Sequence, residues 1–222
     1  MISSKIQQIK NELPQGVELV AVSKFHTPEQ IMEAYSAGQR LFGENRPQEL
    51  AQKVPILPKD IKWHFLGHLQ KNKIKLVVPN AYLIQSIDTE ELLWAVDRYA
   101  AANKIKTRCL LEVHIANEET KQGFSSSEVI SLLERLKTKP LASTIICGVM
   151  GMASFTSDAE QVRSEFSRIA ELYKKIKASY STFFPEFNIL SIGMSGDYKL
   201  AVEQGSTMVR IGTGIFGPRE YV

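Results

Sequence analysis

Lys24 closes the stretch VELVAVSK, residues 17–24, in which five of the first six residues are apolar. A lysine at the exit of an apolar run has three uses. It is a surface residue where a strand has ended, a point charge for a phosphate, or an amine nucleophile toward a carbonyl. The third use needs the neutral amine. An ordinary lysine has a pKa of about 10.4 and is almost wholly cationic at pH 7. Desolvation and a nearby cation both lower that value, and Arg210, in the apolar run TMVRIG, is a candidate cation. Two glycine-bearing stretches add a second chemistry. GMSGD carries Gly193, Ser195 and Gly196, and RIGTGIFG carries Gly212, Thr213 and Gly214. Small residues let backbone N–H groups approach an anion, and hydroxyls add donors. Either stretch alone reads as a turn or helix cap. The two together read as a phosphate site. A phosphate site beside a nucleophilic lysine points to a phosphorylated aldehyde, either pyridoxal 5′-phosphate or a phosphosugar aldolase intermediate.

Two other patterns are weaker. GTGIFG, residues 212–217, matches G-x-G-x-x-G. That fingerprint needs a further strand and an acidic residue about 20 positions on, and the sequence reaches only Val222. The match is chance, or a phosphate loop of another kind. His64 and His68 are four apart, a metal-ligand spacing on a helix. HFLGH begins in a strand-like run, contains Gly67 and lacks the glutamate of a zinc protease, so it predicts hydrogen-bonding histidines. Met150 and Met152 predict barrel packing.

The elements that must position these residues alternate along the chain. An N-terminal helix, SSKIQQIKNEL, precedes the first strand. Strands are predicted at VELVAVS, RLFGEN, IKWHFLG, AYLIQSI, TRCLLEVHI, STIICGVMGM, FNILSIGMS and TMVRIG, each followed by a helical segment. Thr27 and Pro28 mark one helix start, Asp88 is the predicted cap of TEELLWAVDRYAAAN, and Ser125 to Ser127 are cap candidates for the helix after the loop ANEETKQGF. LQKNKIKLVV is predicted as one helix with a solvated lysine face. Continuous apolar strands separated by helices mean a parallel sheet covered on both faces. Eight such units in a chain of this length predict a single-domain α/β fold, a (β/α)8 TIM barrel over residues 1–222. An open doubly wound sheet is the alternative. In a barrel the site lies at the C-terminal strand ends, and the loops after strands seven and eight often hold phosphate. Those ends offer Ser23, Lys24 and His26; Glu44 and Asn45; His64 and His68; Ser86 and Asp88; His114 and Asn117; Met150, Met152 and Ser154; Ser195 and Gly196; and Arg210, Gly212 and Thr213.

Composition narrows the classes. Of 222 residues 44% are hydrophobic, enough for one substantial core, and 27 basic against 24 acidic residues argue against a nucleic-acid binder. Cys109 and Cys147 sit in apolar runs and read as buried, reduced thiols of a cytoplasmic protein. The N-terminus has no signal-peptide core, and no run approaches the ~18 apolar residues of a membrane span.

The segments ELVAVSK, FGEN, WHFLGHLQKNK, GVMGM, LSIGMSGD and GSTMVRIGTGIFGPREY occur in this order over nearly the whole chain. In that order they resemble the pyridoxal phosphate homeostasis proteins, also called proline synthase co-transcribed homologues, which are similar to the barrel domain of fold-type III enzymes such as alanine racemase. The resemblance implies pyridoxal 5′-phosphate as cofactor, held as a Schiff base on Lys24. It implies Ser195, Gly212 and Thr213 around the phosphate, Arg210 facing the pyridine nitrogen, and Asn45 near the cofactor. It also implies a monomer, with transient contact with apo pyridoxal-phosphate enzymes. The chain departs from the family pattern at Arg46-Pro47, where many members have an aromatic or aliphatic pair, and at Gly196, where members often have Asp.

An arginine beside the pyridine nitrogen disfavours its protonation, which leaves a weaker electron sink than an acidic partner would. Fold-type III racemases take a second acid/base from another domain. Here the sequence stops soon after strand eight, so a replacement is expected from the mouth: Tyr198, Tyr221 or a histidine. Two functions follow. One is a non-catalytic carrier that holds the cofactor and delivers it. The alternative is a pyridoxal-phosphate-dependent amino-acid racemase.

Overall fold

The computed structural model describes residues 1–116 and 122–218. Helix α1 (Ile2–Glu12) precedes the first strand, as predicted. The strands are β1 (Glu18–Val22), β2 (Leu41–Glu44), β3 (Lys62–Phe65), β4 (Leu83–Ile87), β5 (Thr107–His114), β6 (Thr144–Met152), β7 (Ile189–Ser191) and β8 (Met208–Ile211). The helices between and after them are α2 (Pro28–Ser36), α3 (Pro47–Lys53), α4 (Ile74–Val77), α5 (Glu90–Ala102), α6 (Ser126–Thr138), α7 (Ala159–Tyr180), α8 (Tyr198–Glu203) and α9 (Thr213–Phe216). The strands form one closed parallel barrel in sequence order. The seam closes where β1 pairs with β8, with Val20 opposite Arg210. The fold is the (β/α)8 TIM barrel, not the open sheet.

The strands bury both faces, which explains their unbroken apolar runs. A large outer core lies between barrel and helices, with Leu19, Ala21, Phe42, Phe65, Ile84, Leu111 and Val149 facing α-helical side chains such as Ile31, Leu93, Leu133 and Ile169. A smaller inner core fills the barrel: Val20, Leu83, Leu110, Cys147, Met150 and Met208. Each fully buried aliphatic contributes about 1.5–3 kcal/mol. The close strand approach has one local requirement. At Gly148 a Cβ would lie 1.8 Å from the Ile189 carbonyl oxygen, so no other residue fits this point on β6, beside the register shift between β5 and β6.

Helix starts follow side-chain chemistry. Thr27 and Gln30 make a capping box at α2 with Pro28 at its first position, and Ser125 with Glu128 makes another at α6. Three expectations are corrected. Thr89, not Asp88, caps α5 by accepting from Leu92 N–H at 3.2 Å, because the Asp88 carboxylate is turned to His68. The stretch LQKNKIKLVV is not one helix: a 3-10 turn, Lys71–Lys73, runs into the single-turn α4, with Lys71 and Lys75 exposed as predicted. Met152 is 42% exposed at the end of β6, whereas Met150 packs inside the barrel; the pleat alternates, but by Met152 the strand has passed the rim. Cys109 and Cys147 are free, buried thiols. Among the described residues no helix is long and apolar enough to cross a membrane.

Candidate functional site

At the C-terminal mouth of the barrel, five of the six predicted site residues line one cavity of about 380 Å³: Lys24, Ser195, Arg210, Gly212 and Thr213. Val22, Ala153 to Thr156, Met194, Gly196 and Asp197 complete much of the wall. Asn45, the sixth, stands just past the end of β2 and is not part of that wall. Its Oδ1 is buried without a hydrogen-bond partner among the described residues, and its carbonyl packs so close to Gly67 that a Cβ there would meet it at 2.1 Å.

β1 ends at Val22, so Lys24 sits two residues beyond the strand and is half-buried rather than fully enclosed. The backbone then turns sharply. Phe25 has φ 66°, the left-handed region that side chains with a Cβ seldom occupy. His26 N–H closes the turn onto the Ser23 carbonyl at 3.1 Å. The His26 ring stacks on Phe216 of α9, centroids 4.5 Å apart, which ties the lysine turn to the last helix.

Behind this turn lies a buried ionic group. Lys53 Nζ donates to Glu44 Oε1 at 2.8 Å, to the Ser23 carbonyl at 3.0 Å and to Glu49 Oε2 at 3.2 Å. Ser23 Oγ donates to Glu44 Oε1 at 2.6 Å, and Phe25 N–H donates to Glu49 Oε2 at 3.0 Å. Burial pushes the Glu44 carboxyl up to about 7 despite Lys53 and Ser23.

Arg210 points into the barrel. Nη1 donates to the Ser191 carbonyl and Oγ, both at 2.7 Å, and Nη2 donates to the Gly151 carbonyl at 3.0 Å. Burial lowers its pKa to about 10, against the opposing pull of Asp197 and Glu112, so it remains cationic at neutral pH. A polar chain runs from it across the axis: Ser191 Oγ donates to Gln85 Oε1 at 2.7 Å, and Gln85 Nε2 meets His64 Nδ1 at 2.8 Å. His64 is held neutral by burial and by Lys62, with its pKa lowered to about 3. Glu112 on β5 is raised to about 7 by burial and by Asp88, partly offset by Arg210 and His68.

The two glycine-bearing loops meet, since Gly214 N–H donates to Ser195 Oγ at 3.3 Å. Asp197 Oδ1 accepts from Met194 N–H and fixes the first loop. α8 begins at Tyr198 with Asp197 as its cap position, and Gly193 at φ 97° belongs to the loop before it. β6 runs into Ser154, whose N–H and Oγ both bond Glu165 of α7, at 2.7 and 2.8 Å.

Other expectations sort themselves around this cavity. His64 and His68 do not converge: one is inside the barrel, the other pairs with Asp88 Oδ2 at 3.0 Å near the rim. Among the described residues no group of side chains could hold a metal ion. Tyr198 is no acid/base for the mouth. Its hydroxyl donates to Glu12 Oε2 on α1 at 2.5 Å, and burial and Glu12 raise its pKa to about 12. Asn117 and Tyr221 lie outside the described residues. Sequence reasoning missed the Glu44–Lys53–Glu49 group, Glu112, Asp197 and the Gln85–Ser191 link. The alternation of β4, β7 and β8 could have placed Gln85, Ser191 and Arg210 on one inner face. Nothing in the spacing joins Lys53 to Ser23.

The family model for the alanine racemase N-terminal domain matches residues 1–220. The pyridoxal phosphate homeostasis protein of Vibrio alginolyticus is 38% identical over 213 residues, covering 94% of this chain and 89% of that one. The protein of that name from Aquifex aeolicus is 37% identical over 205 residues, 92% and 88% of the two chains. PipY of Synechococcus elongatus, solved without PLP, superposes with TM-score 0.90 at 33% identity, covering 98% of this chain and 100% of that one. PipY with PLP bound gives 0.86 at the same identity and coverage.

Proposed function

The chain belongs to the alanine racemase N-terminal domain family and, within it, to the pyridoxal phosphate homeostasis proteins, and from that premise we propose that it binds pyridoxal 5′-phosphate, captures its aldehyde on Lys24 and passes it on to apo-enzymes. The observation that carries this reading is the single cavity that joins Lys24, Arg210 and the two touching loops of Ser195 and Thr213. The residues fit such a ligand in kind. The loops offer backbone N–H groups and hydroxyls for a phosphate, and Lys24 offers a primary amine. PipY, at 33% identity, is described with PLP bound.

When bound, the cofactor supplies an aldehyde open to amines and an electron-withdrawing pyridine ring. The chain's own residues then decide its use. Arg210 stays cationic in the same cavity, and a cation beside the pyridine nitrogen keeps it unprotonated and the ring a weak electron sink. That arrangement disfavours strong carbanion chemistry such as transamination. The buried free thiols of Cys109 and Cys147 suit a reducing, cytoplasmic compartment, and we propose that the chain acts as a monomer.

The test is the absorbance spectrum and mass of wild type and Lys24→Ala incubated with pyridoxal 5′-phosphate, before and after borohydride. A yellow wild type whose reduced adduct maps to Lys24 supports capture, and a colourless wild type overturns it. Faster reactivation of an apo-enzyme by the loaded protein than by its spontaneous release supports delivery. Exchange of amino-acid α-protons in deuterated water, lost in Lys24→Ala, would replace the carrier by the racemase.

A further inference from the structure

Lys24 is held from both sides by one set of charges. The residue before it is gripped twice, at the Ser23 carbonyl by Lys53 Nζ (3.0 Å) and at Ser23 Oγ by Glu44 Oε1 (2.6 Å). The residue after it is gripped at Phe25 N–H by Glu49 Oε2 (3.0 Å). Lys53 joins the two carboxylates at 2.8 and 3.2 Å. The grip extends outward through Arg46, whose guanidinium lies 4.4 Å from the Phe25 ring centroid and 3.8 Å from Glu49 Oε1.

Two facts separate this group from an ordinary surface ion pair. It is buried: the Lys53 side chain is 9% exposed and that of Glu44 0%. A buried ion pair is a poor source of stability, since well-packed apolar side chains of the same volume serve as well or better. What charges add is direction, through hydrogen bonds of fixed geometry. The second fact is the backbone they hold. Phe25 at φ 66° is strained for a residue with a Cβ, and such conformations persist only where the surroundings over-determine them. Glu49 on its N–H and Arg46 on its ring do so here. The partners come from the end of β2 and from α3, so the lysine turn is fixed to the second βα unit.

We propose that Glu44, Lys53 and Glu49 are positioning residues that hold the Ser23–Phe25 backbone and so aim Lys24 into the cavity before any ligand arrives. The proposal rests on the reading that Lys24 captures an aldehyde. It places the rate of capture, rather than the strength of phosphate contacts, under the control of residues that do not line the cavity.

Glu49 provides the cleanest variants, because it is half-buried and its loss leaves the Lys53–Glu44 pair intact. Glu49→Ala removes the acceptor of Phe25 N–H. Glu49→Gln removes the charge and keeps an oxygen for that bond. In the unliganded protein, amide hydrogen exchange at Phe25 read by NMR is expected to speed up about ten-fold or more in Glu49→Ala and to stay near wild type in Glu49→Gln. Stopped-flow capture of pyridoxal 5′-phosphate, read by absorbance, is expected to slow about ten-fold in Glu49→Ala and to be rescued in Glu49→Gln. Lys53→Met, if it folds, is expected to slow capture further while inorganic phosphate competes as well as in wild type. Capture at the wild-type rate in Glu49→Ala, or Glu49→Gln as impaired as Glu49→Ala, overturns the positioning role alone. A wild type that captures no aldehyde overturns the functional reading and this role with it.

Discussion

On the β7–β8 side, the cavity wall is made of backbone and small side chains: Ser195, Gly196, Gly212 and Thr213, with Gly214 N–H bonded to Ser195 Oγ. On the β1–β2 side, it is made of one lysine braced by buried long side chains from elsewhere, Glu44, Lys53 and Glu49. The first wall is local: each residue presents its own donors. The second is relayed, since the group that faces the cavity and the groups that aim it are different residues. A local wall shows in a short stretch of sequence. A relayed wall shows only after the chain has folded.

The contrast can be broken from the lysine side first. Lys24→Ala is expected to abolish covalent retention of pyridoxal 5′-phosphate altogether, while reversible, phosphate-dependent binding survives. Intact mass after borohydride, alongside equilibrium dialysis, checks this. Equal loss of both would mean that the walls do not act separately.

Arg210 stands between them. Arg210→Gln removes the donors to the Ser191 and Gly151 carbonyls and one of the two bonds of Ser191 Oγ, which keeps Gln85. The expected loss is about 3 kcal/mol by urea unfolding, since each buried group left without a partner costs ~1–3 kcal/mol. It also removes the cation that holds Glu112 down, so the Glu112 carboxyl rises beyond about 7.

The local wall is expected to be more forgiving. Ser195→Ala deletes the acceptor of Gly214 N–H and a hydroxyl at the cavity. Pyridoxal 5′-phosphate affinity should fall about ten-fold, equivalent to ~1.4 kcal/mol, with the rate of covalent capture at saturation unchanged. A fall in that rate instead would show that the two walls are coupled.

A further test is one of pH. Glu44 and Glu112 each titrate near 7 in the folded chain, raised above the ordinary carboxyl range by burial. A raised folded pKa means that the native state binds the proton more tightly than the unfolded state. The contribution of each is therefore fully present below about pH 4.3 and is lost as pH rises through about 7. Carbon-13 NMR of labelled glutamate should show both high titrations. Glu112→Gln should remove one and flatten the pH slope of stability between those limits, leaving the other in place.

How much of this was readable before folding follows the same division. The eight strands and the barrel were legible because burial on both faces leaves continuous apolar runs such as VELVAV and LIQSI. Ser195, Gly212 and Thr213 were legible because a loop that presents its own backbone needs small residues at the right strand ends. Asp88 was misread as a cap because Asp and Thr are both good caps, and only the pull of His68 on Asp88 decides for Thr89. Tyr198 was a candidate for the mouth until its hydroxyl was found on Glu12 of α1. RPQELAQKV reads as helical; that Lys53 turns inward to Ser23, thirty residues earlier, depends on how α3 lies against the turn after β1, which no local pattern carries.

The pairing of β1 with β8 sets a condition on the protein's usefulness. Lys24 follows β1 and Thr213 follows β8, and Val20 pairs with Arg210 across the seam. Until β1 and β8 pair, Lys24 has no complete cavity to face. The pocket needs the closed ring. A ligand that occupies it thus latches the finished ring: it binds the closed form alone and draws the equilibrium toward it by mass action. A loaded molecule therefore has a closed ring.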